Sequence, residues 1–195
     1  DTVFKGGTAL SKCFHLIDRF SEDIDITFSE HIGASRRKKL KYDILKPISE
    51  ELDMPIENWS TIESDKDYNY YLFAYKPISD FPVAGISSGV KLETALVSYS
   101  FPTVEKEVSS IIYETLKNTA PDIISDYELN PFAMKVQSVS RTFIDKIYAL
   151  CDYYLEGKTK RFSRHLYDIY KLYPTLTIDD DFKVLTEQVR EHRSH

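Results

Sequence analysis

The sequence predicts an α+β fold, a mixed β-sheet flanked by helices and followed by a helical lobe. Three observations lead there. Apolar and polar residues alternate with a period of two at 24–26, 68–76 and 90–99, as half-buried strands require. Segments 8–20 and 34–52 instead place apolar residues three and four apart, the helical period. Beyond about residue 105 the period-two texture gives way to helical spacing for the rest of the chain. The expected division is a sheet-bearing core over 1–104 and a helical lobe over 105–195. At 195 residues the two fit one compact unit.

Each element has its own justification. Thr2 to Lys5 reads as a short strand stopped by Gly6-Gly7. A helix follows, with Leu10, Cys13, Phe14, Ile17 and Phe20 on one face. Ile24 and Ile26 alternate with Asp23 and Asp25 in the next strand. The 34–52 helix buries Leu40, Ile44, Leu45, Ile48 and Leu52 and opens on the basic run 36–41, which reads as solvent-facing. Tyr68 to Lys76 and Val90 to Tyr99 read as strands that can pair antiparallel. Pro77, Pro82, Gly85 and Gly89 mark the loop between them. Short helical pieces are expected at 104–117 and 121–127, with a break at Asn130-Pro131-Phe132. A long helix over 138–156 carries Phe143, Ile144, Ile147, Leu150, Cys151 and Tyr154 as its core face and ends at Gly157. Helices at 162–173, stopped by Pro174, and at 180–192 complete the chain.

Composition narrows the function. The chain is 42% hydrophobic and 29% charged, which excludes a disordered or low-complexity protein. Its net charge of −6 excludes an obligate coating protein for nucleic acid, so any such contact is local. Basic runs at Arg36 to Lys41 and at Lys158, Lys160, Arg161 and Arg164 could steer a phosphate backbone. Cys13 and Cys151 sit in apolar helical patterns and read as buried free thiols of a reducing, cytoplasmic compartment. No apolar run approaches a membrane span, and no signal peptide is visible. The chain opens at Asp1 directly into a strand without an initiator Met, so an upstream segment is expected.

Three constellations carry chemistry. Gly6-Gly7-Thr8 ends a strand and opens a helix, a turn where backbone N–H groups can meet phosphate. Asp23 and Asp25, at i and i+2 on a strand, project from one face, with Ile24 and Ile26 toward the core. Two such carboxylates repel unless a cation lies between them, and Mg²⁺ takes such ligands together with substrate phosphates. Read alone, the pair could equally be a solvated strand edge. The second constellation is Lys91 and Glu93 on one strand face. Glu93 would supply a third carboxylate for a two-cation phosphoryl or nucleotidyl transfer site, although read alone the two residues are better explained as an exposed cross-strand ion pair. The third lies on the late helices, with Asp145 and Lys146 on one and Arg164, His165 and Asp168 on the other. Arg164 and Asp168 are i, i+4, so an Arg held by an Asp could grip an anion, or the two could form an ordinary surface pair.

Together these residues carry a resemblance. The runs Phe4-Lys-Gly-Gly-Thr-Ala-Leu-Ser11 and Arg19-Phe-Ser-Glu-Asp-Ile-Asp25 resemble the opening of the AbiEii/AbiGii toxin family, nucleotidyltransferase-like proteins of the wider DNA polymerase β superfamily. Lys91-Leu-Glu93, Phe143-Ile-Asp-Lys-Ile-Tyr-Ala-Leu150 and Arg164-His-Leu-Tyr-Asp168 follow in the family's order, so the resemblance spans residues 3 to about 170. It implies a nucleotidyltransferase-like fold. Gly6, Gly7 and Thr8 would hold nucleotide phosphates, with Ser11 assisting from the first turn of the helix. Asp23 and Asp25 would hold Mg²⁺ or Mn²⁺, and Glu93, beside Lys91, would be the base for an attacking hydroxyl. Lys146 would contact phosphate, and Arg164 and Asp168 would complete the nucleotide-side wall. It also implies transfer of a nucleotide from an NTP to an acceptor such as tRNA, as the toxin of a toxin–antitoxin or phage-defence pair with a cognate antitoxin. The chain departs from the usual pattern in having Gly7-Thr8 for Gly-Ser and Glu93 for Asp. A nucleotide-binding module without turnover and a kinase-like phosphotransferase remain open on the same residues.

Overall fold

The computed structural model describes residues 2–30, 32–63, 66–76, 89–96, 100–158 and 162–193. The expected loop at Pro77, Pro82 and Gly85, the end of the strand expected to reach Tyr99, and Lys160 and Arg161 lie outside the described residues.

The fold is α+β, as expected. Strand β1 (Thr2–Lys5) leads into α1 (Gly6–Lys12) and, after a loop, β2 (Ile24–Phe28). A helical run follows as α2 (Ala34–Lys39), a π turn (Leu40–Leu45) and α3 (Lys46–Glu51). Then come β3 (Tyr68–Ala74), β4 (Gly89–Ala95), β5 (Thr103–Val108), α4 (Ile111–Leu116), α5 (Pro121–Asp126) and β6 (Phe132–Gln137). Helices α6 (Val139–Leu155), α7 (Phe162–Leu172) and α8 (Asp180–Arg193) close the chain. The described strands form one mixed sheet in the order β3-β4-β2-β1-β6-β5. Strands β3 and β4 pair antiparallel as expected, while β2 runs parallel to β4 and β1 parallel to β6.

Two strands correct the sequence reading. Residues 103–108 are a strand, not a helix, and the Pro131-Phe132 break opens another. Both join the sheet through β1, so the all-helical part begins at Val139 rather than near residue 105. The reason is physical. Strand β5 (Thr-Val-Glu-Lys-Glu-Val) is a charged, exposed sheet edge, and charge on an edge discourages pairing with other chains while hiding the apolar alternation.

The first helix is also shorter than expected. It stops at Lys12, and the loop beyond it still buries Ile17 but leaves Phe20 exposed. In the 34–51 run Leu40 and Leu45 are core residues, whereas Ile44, Ile48 and Leu52 face solvent. A π turn inserts an extra residue and rotates the following face, which breaks a strict 3.6 pattern. The basic run on this segment is not uniformly solvent-facing. Arg37 and Lys41 are buried, Arg37 against Asp67 (2.6 Å) and Lys41 donating to the Ile62 carbonyl (2.7 Å) above the Trp59 ring. Helix α6 is capped by Ser138, whose hydroxyl accepts from the Arg141 N–H, and ends before Gly157, which has φ +69. It buries Phe143 and Ile144, but Ile147, Cys151 and Tyr154 are exposed, so Cys151 is not the expected buried thiol. Cys13 is buried, and that burial pushes its thiol up to about 11.

The packing that positions the site is the junction of α1, α6 and α7. Leu10, Ile17, Phe143 and Leu172 form one buried cluster there. The Tyr167 hydroxyl accepts from the Asp18 N–H (3.0 Å) and Lys171 pairs with Asp18 (2.7 Å), tying α7 to the loop before β2. Ile26, Leu92, Tyr71 and Phe73 fill the core under the other half of the sheet.

Candidate active site

The site begins with the pairing of three strands. Asp25 on β2 stands opposite Glu93 on β4 and opposite Lys5 on β1. Paired residues on adjacent strands project to the same face, about 5 Å apart. Asp23, two residues before Asp25, joins them along one cleft, and Ile26 turns into the core.

Glycine is required where β1 meets α1. Gly6 has φ +76, and a Cβ there would lie 2.0 Å from Asp25 Oδ2 and 2.8 Å from its Cγ. The turn thus closes directly on the carboxylate. A Cβ on Gly7 would meet Arg19 Nη2 and Ser21 Oγ, each at 2.8 Å. Thr8 is buried, and its hydroxyl donates to the Asp23 carbonyl and lies 2.9 Å from Ser21 Oγ. Thr8 therefore clamps the Asp23 loop to α1. In this structure its hydroxyl bonds inside the protein. Ser11 sits in the last turn of the seven-residue α1, not the first, and lines a separate hollow with Lys12, His15 and Asp18.

The acidic side of the cleft is electrostatically loaded. Burial, then repulsion by Glu93, pushes the Asp25 carboxyl up to about 6, against the opposing pull of Lys5 and Lys146. Glu93 is held by an ion pair with Lys91 and by a hydrogen bond to the Tyr68 hydroxyl, whose ionisation burial and Glu93 both suppress. Lys91 also lies over the Tyr70 ring. It anchors Glu93 rather than lining the cleft.

The opposite wall comes from α6 and α7. Lys146 and Arg164 both border the cleft, which has a volume of about 460 Å³, together with Arg19, Tyr153 and His165. Asp168 is fully buried behind them. Its carboxylate receives Arg19 in a bidentate pair (Nε to Oδ1 2.7 Å, Nη2 to Oδ2 2.6 Å) and Lys146 Nζ at 2.6 Å. Burial alone would raise this carboxyl, but the hydrogen bonds and charges of Arg19 and Lys146 outweigh it and hold it below the ordinary carboxylate range. The expected Arg164–Asp168 pair is not what forms. Asp168 points into the interior while Arg164 is exposed, and no ion pair to Arg164 is seen among the described residues. Asp145 holds Arg141 (3.1 Å) rather than Lys146.

A family model described as "Nucleotidyl transferase AbiEii toxin, Type IV TA system" matches residues 1–195, the whole chain. The chain belongs to the AbiEii family. Neither a comparison with curated proteins nor one with solved structures returned a match. AbiEii proteins are nucleotidyl transferase toxins of type IV toxin–antitoxin systems, and the mixed sheet with flanking helices is consistent with that class. Among the described residues of this AbiEii chain no helix is long and apolar enough to cross a membrane.

The cleft of this AbiEii protein therefore gathers Gly6, Gly7, Asp23, Asp25, Glu93, Lys146 and Arg164. Thr8, Lys91 and Asp168 stand behind its wall, and Ser11 lies elsewhere. Sequence reasoning gave no role to Arg19, Ser21, Tyr68 or Tyr153. Signals for three of these existed. Tyr153 is seven residues after Lys146, two turns along the same helix face. Arg19 and Ser21 lie just before the acidic strand, and a strand antiparallel to β1 must bring its entry loop back to the glycine turn.

Proposed function

We propose that this chain transfers a nucleotide from an NTP to an RNA acceptor such as tRNA, with divalent metal held at Asp23 and Asp25. One observation carries the reading: an acidic patch on neighbouring inner strands of the sheet and a cationic helical wall border the same cleft. A nucleoside triphosphate with its metal needs both signs of charge at once.

The donor set fits a hard cation. Asp25 is a carboxyl destabilised in its charged form by burial and by Glu93, and a cation beside it relieves both penalties. Among the described residues no group of three or more His, Cys, Asp or Glu side chains is placed to hold a metal ion, so Glu93 does not complete a three-carboxylate set with Asp23 and Asp25. Mg²⁺, or Mn²⁺ in its place, would use the two aspartates together with substrate phosphates and water. Bound there, the metal would supply charge stabilisation at the transferring phosphate.

The chain's own groups do the rest. Gly6 and Gly7 let phosphate oxygens approach backbone N–H groups that no side chain caps. Lys146, Arg19 and Arg164 offset the negative charge that develops on the pyrophosphate. Asp168 holds two of these cations in place. Glu93 takes the proton of the attacking hydroxyl, its carboxylate steadied by Lys91 and Tyr68. The exposed residues Arg36, Lys38 and Lys39 offer a steering patch for an RNA backbone. As the toxin of a type IV toxin–antitoxin pair the chain would be counteracted by a cognate antitoxin.

The test is incubation with Mg²⁺, total RNA and NTPs labelled at either the α- or the γ-phosphate. Label from the α-phosphate in RNA is the expected result. Label from the γ-phosphate on protein or RNA would identify a phosphotransferase, and no transfer of either would leave a binding module.

A further inference from the structure

A second hollow opens from the same centre. It has a volume of about 310 Å³ and shares Gly6, Asp25, Lys146, Tyr153 and His165 with the acidic cleft. From there it runs to Lys5, Gln137, Thr142 and Asp145. The strand order explains this. Strands β4, β2, β1 and β6 are successive neighbours, so Glu93, Asp25, Lys5 and Gln137 come from four strands in a row. The acidic cleft reaches the Glu93 end and the second hollow the Gln137 end.

Tyr153 and His165 stand where the two hollows join, edge to face, with ring centroids 5.4 Å apart and planes at 61°. Both are only half-buried, and both border each hollow.

We infer that the second hollow is the nucleobase subsite, with the base stacked against Tyr153 and His165. The inference rests on the nucleotide reading of the acidic cleft. In nucleotidyl transfer the attacking and leaving oxygens lie roughly in line through the α-phosphorus. The Glu93 end is taken by the attacking hydroxyl, and the end at Gly7, Arg19 and Arg164 by the pyrophosphate. The sugar and base must leave the α-phosphorus in another direction, and the second hollow provides one, starting from Asp25 itself. Its walls suit a base. Aromatic faces meet a π surface, and Asp145 can accept from a base amino group beyond its bonds to Gln137 (2.9 Å) and Arg141 (3.1 Å).

The test is calorimetry on the full chain in Mg²⁺, with each of the four NTPs and with inorganic tripolyphosphate. Stacking is worth about 5- to 150-fold per base, so Tyr153→Ala should weaken the best-bound NTP by roughly tenfold or more. The same variant should bind tripolyphosphate like the parent, which also shows that it is folded. Tyr153→Phe, which keeps the ring, should bind the NTP like the parent, and His165→Ala should repeat the selective loss. If Tyr153→Ala binds NTP normally, or loses NTP and tripolyphosphate in equal proportion, the subsite assignment is wrong. A parent that binds tripolyphosphate but no NTP more tightly also overturns it while leaving the phosphate site standing. A parent that binds neither removes the nucleotide reading and this inference with it.

Discussion

Replacing Asp168 by Asn removes one charge and leaves two cations facing each other. The Asp168 side chain is 0% exposed, Lys146 is 9% exposed and Arg19 is 20% exposed. Breaking a buried ion pair from one side costs about 3–5 kcal/mol, because the remaining charge is uncompensated. Arg19 retains some water and can turn toward the cleft, so the lower end, about 3 kcal/mol, is expected for Asp168→Asn. In a chain of this size that corresponds to a fall in melting temperature of roughly 6–12 °C. The assay is urea or thermal unfolding at pH 7.5, together with the double variant Asp168→Asn/Lys146→Met. The double variant should recover part of the loss, since one of the stranded cations is gone. The sign of the pH dependence follows from the carboxyl's depressed folded pKa. The contribution of Asp168 is complete above the ordinary carboxylate range and is lost as pH falls through the folded pKa. The gap between parent and variant should therefore stay constant from pH 8 to pH 5 and narrow below about pH 4. A loss under about 1 kcal/mol, or no recovery in the double variant, would refute the buried strap as the device that holds Lys146 and Arg19.

Three further outcomes follow from the site. Asp25 is the opposite case, because its folded carboxyl is pushed up to about 6, so the folded state loses stability as pH rises from about 4 to about 6. In EDTA at pH 7.5, Asp25→Asn should be more stable than the parent by up to about 3 kcal/mol, with no gain at pH 4; equal or lower stability at pH 7.5 would contradict the loaded acidic side of the cleft. Gly6→Ala places a Cβ at φ +76 and against Asp25, and should cost at least about 1–2 kcal/mol for the backbone alone. Gly7→Ala carries no positive-φ penalty and meets only side-chain ends, Arg19 Nη2 and Ser21 Oγ, so it should cost less; denaturant titration ranks the two. Changing Arg36, Lys38 and Lys39 together to Ala should weaken RNA binding and flatten its salt dependence without altering NTP affinity, whereas Lys41→Ala, at a buried position, should lower stability instead.

The parts of the site that were legible in the sequence are those written in local patterns. Gly6-Gly7 after a strand and Asp23-x-Asp25 inside one are short-range signals, and Glu93 could be read as a candidate because its strand alternates cleanly. Strand β5 was not legible, because its partner is β6 and its exposed edge carries Glu105, Lys106 and Glu107, which erase the apolar alternation. Asp168 was misread for a different reason. Its i−4 neighbour Arg164 is close in sequence, but its partner Arg19 lies 149 residues away, and only the packing of α7 against the loop before β2 brings them together. The apolar pattern of α6 overstated its burial as well, since Ile147 and Tyr154 follow the helical period yet face outward. Periodicity tells which residues share a face and does not tell whether another element covers that face.

The central claim is that the cleft between Asp23, Asp25 and Glu93 on the sheet and Lys146 on α6 carries out nucleotide transfer. The most direct measurement is single-turnover transfer of α-phosphate label from NTP to RNA, comparing the parent with Asp25→Asn after both are shown to be folded. The expected result is label in RNA with the parent in Mg²⁺, none when EDTA is present, and none with Asp25→Asn at any Mg²⁺ concentration. Parent-like transfer by Asp25→Asn, or transfer by the parent that persists in EDTA, would contradict the claim.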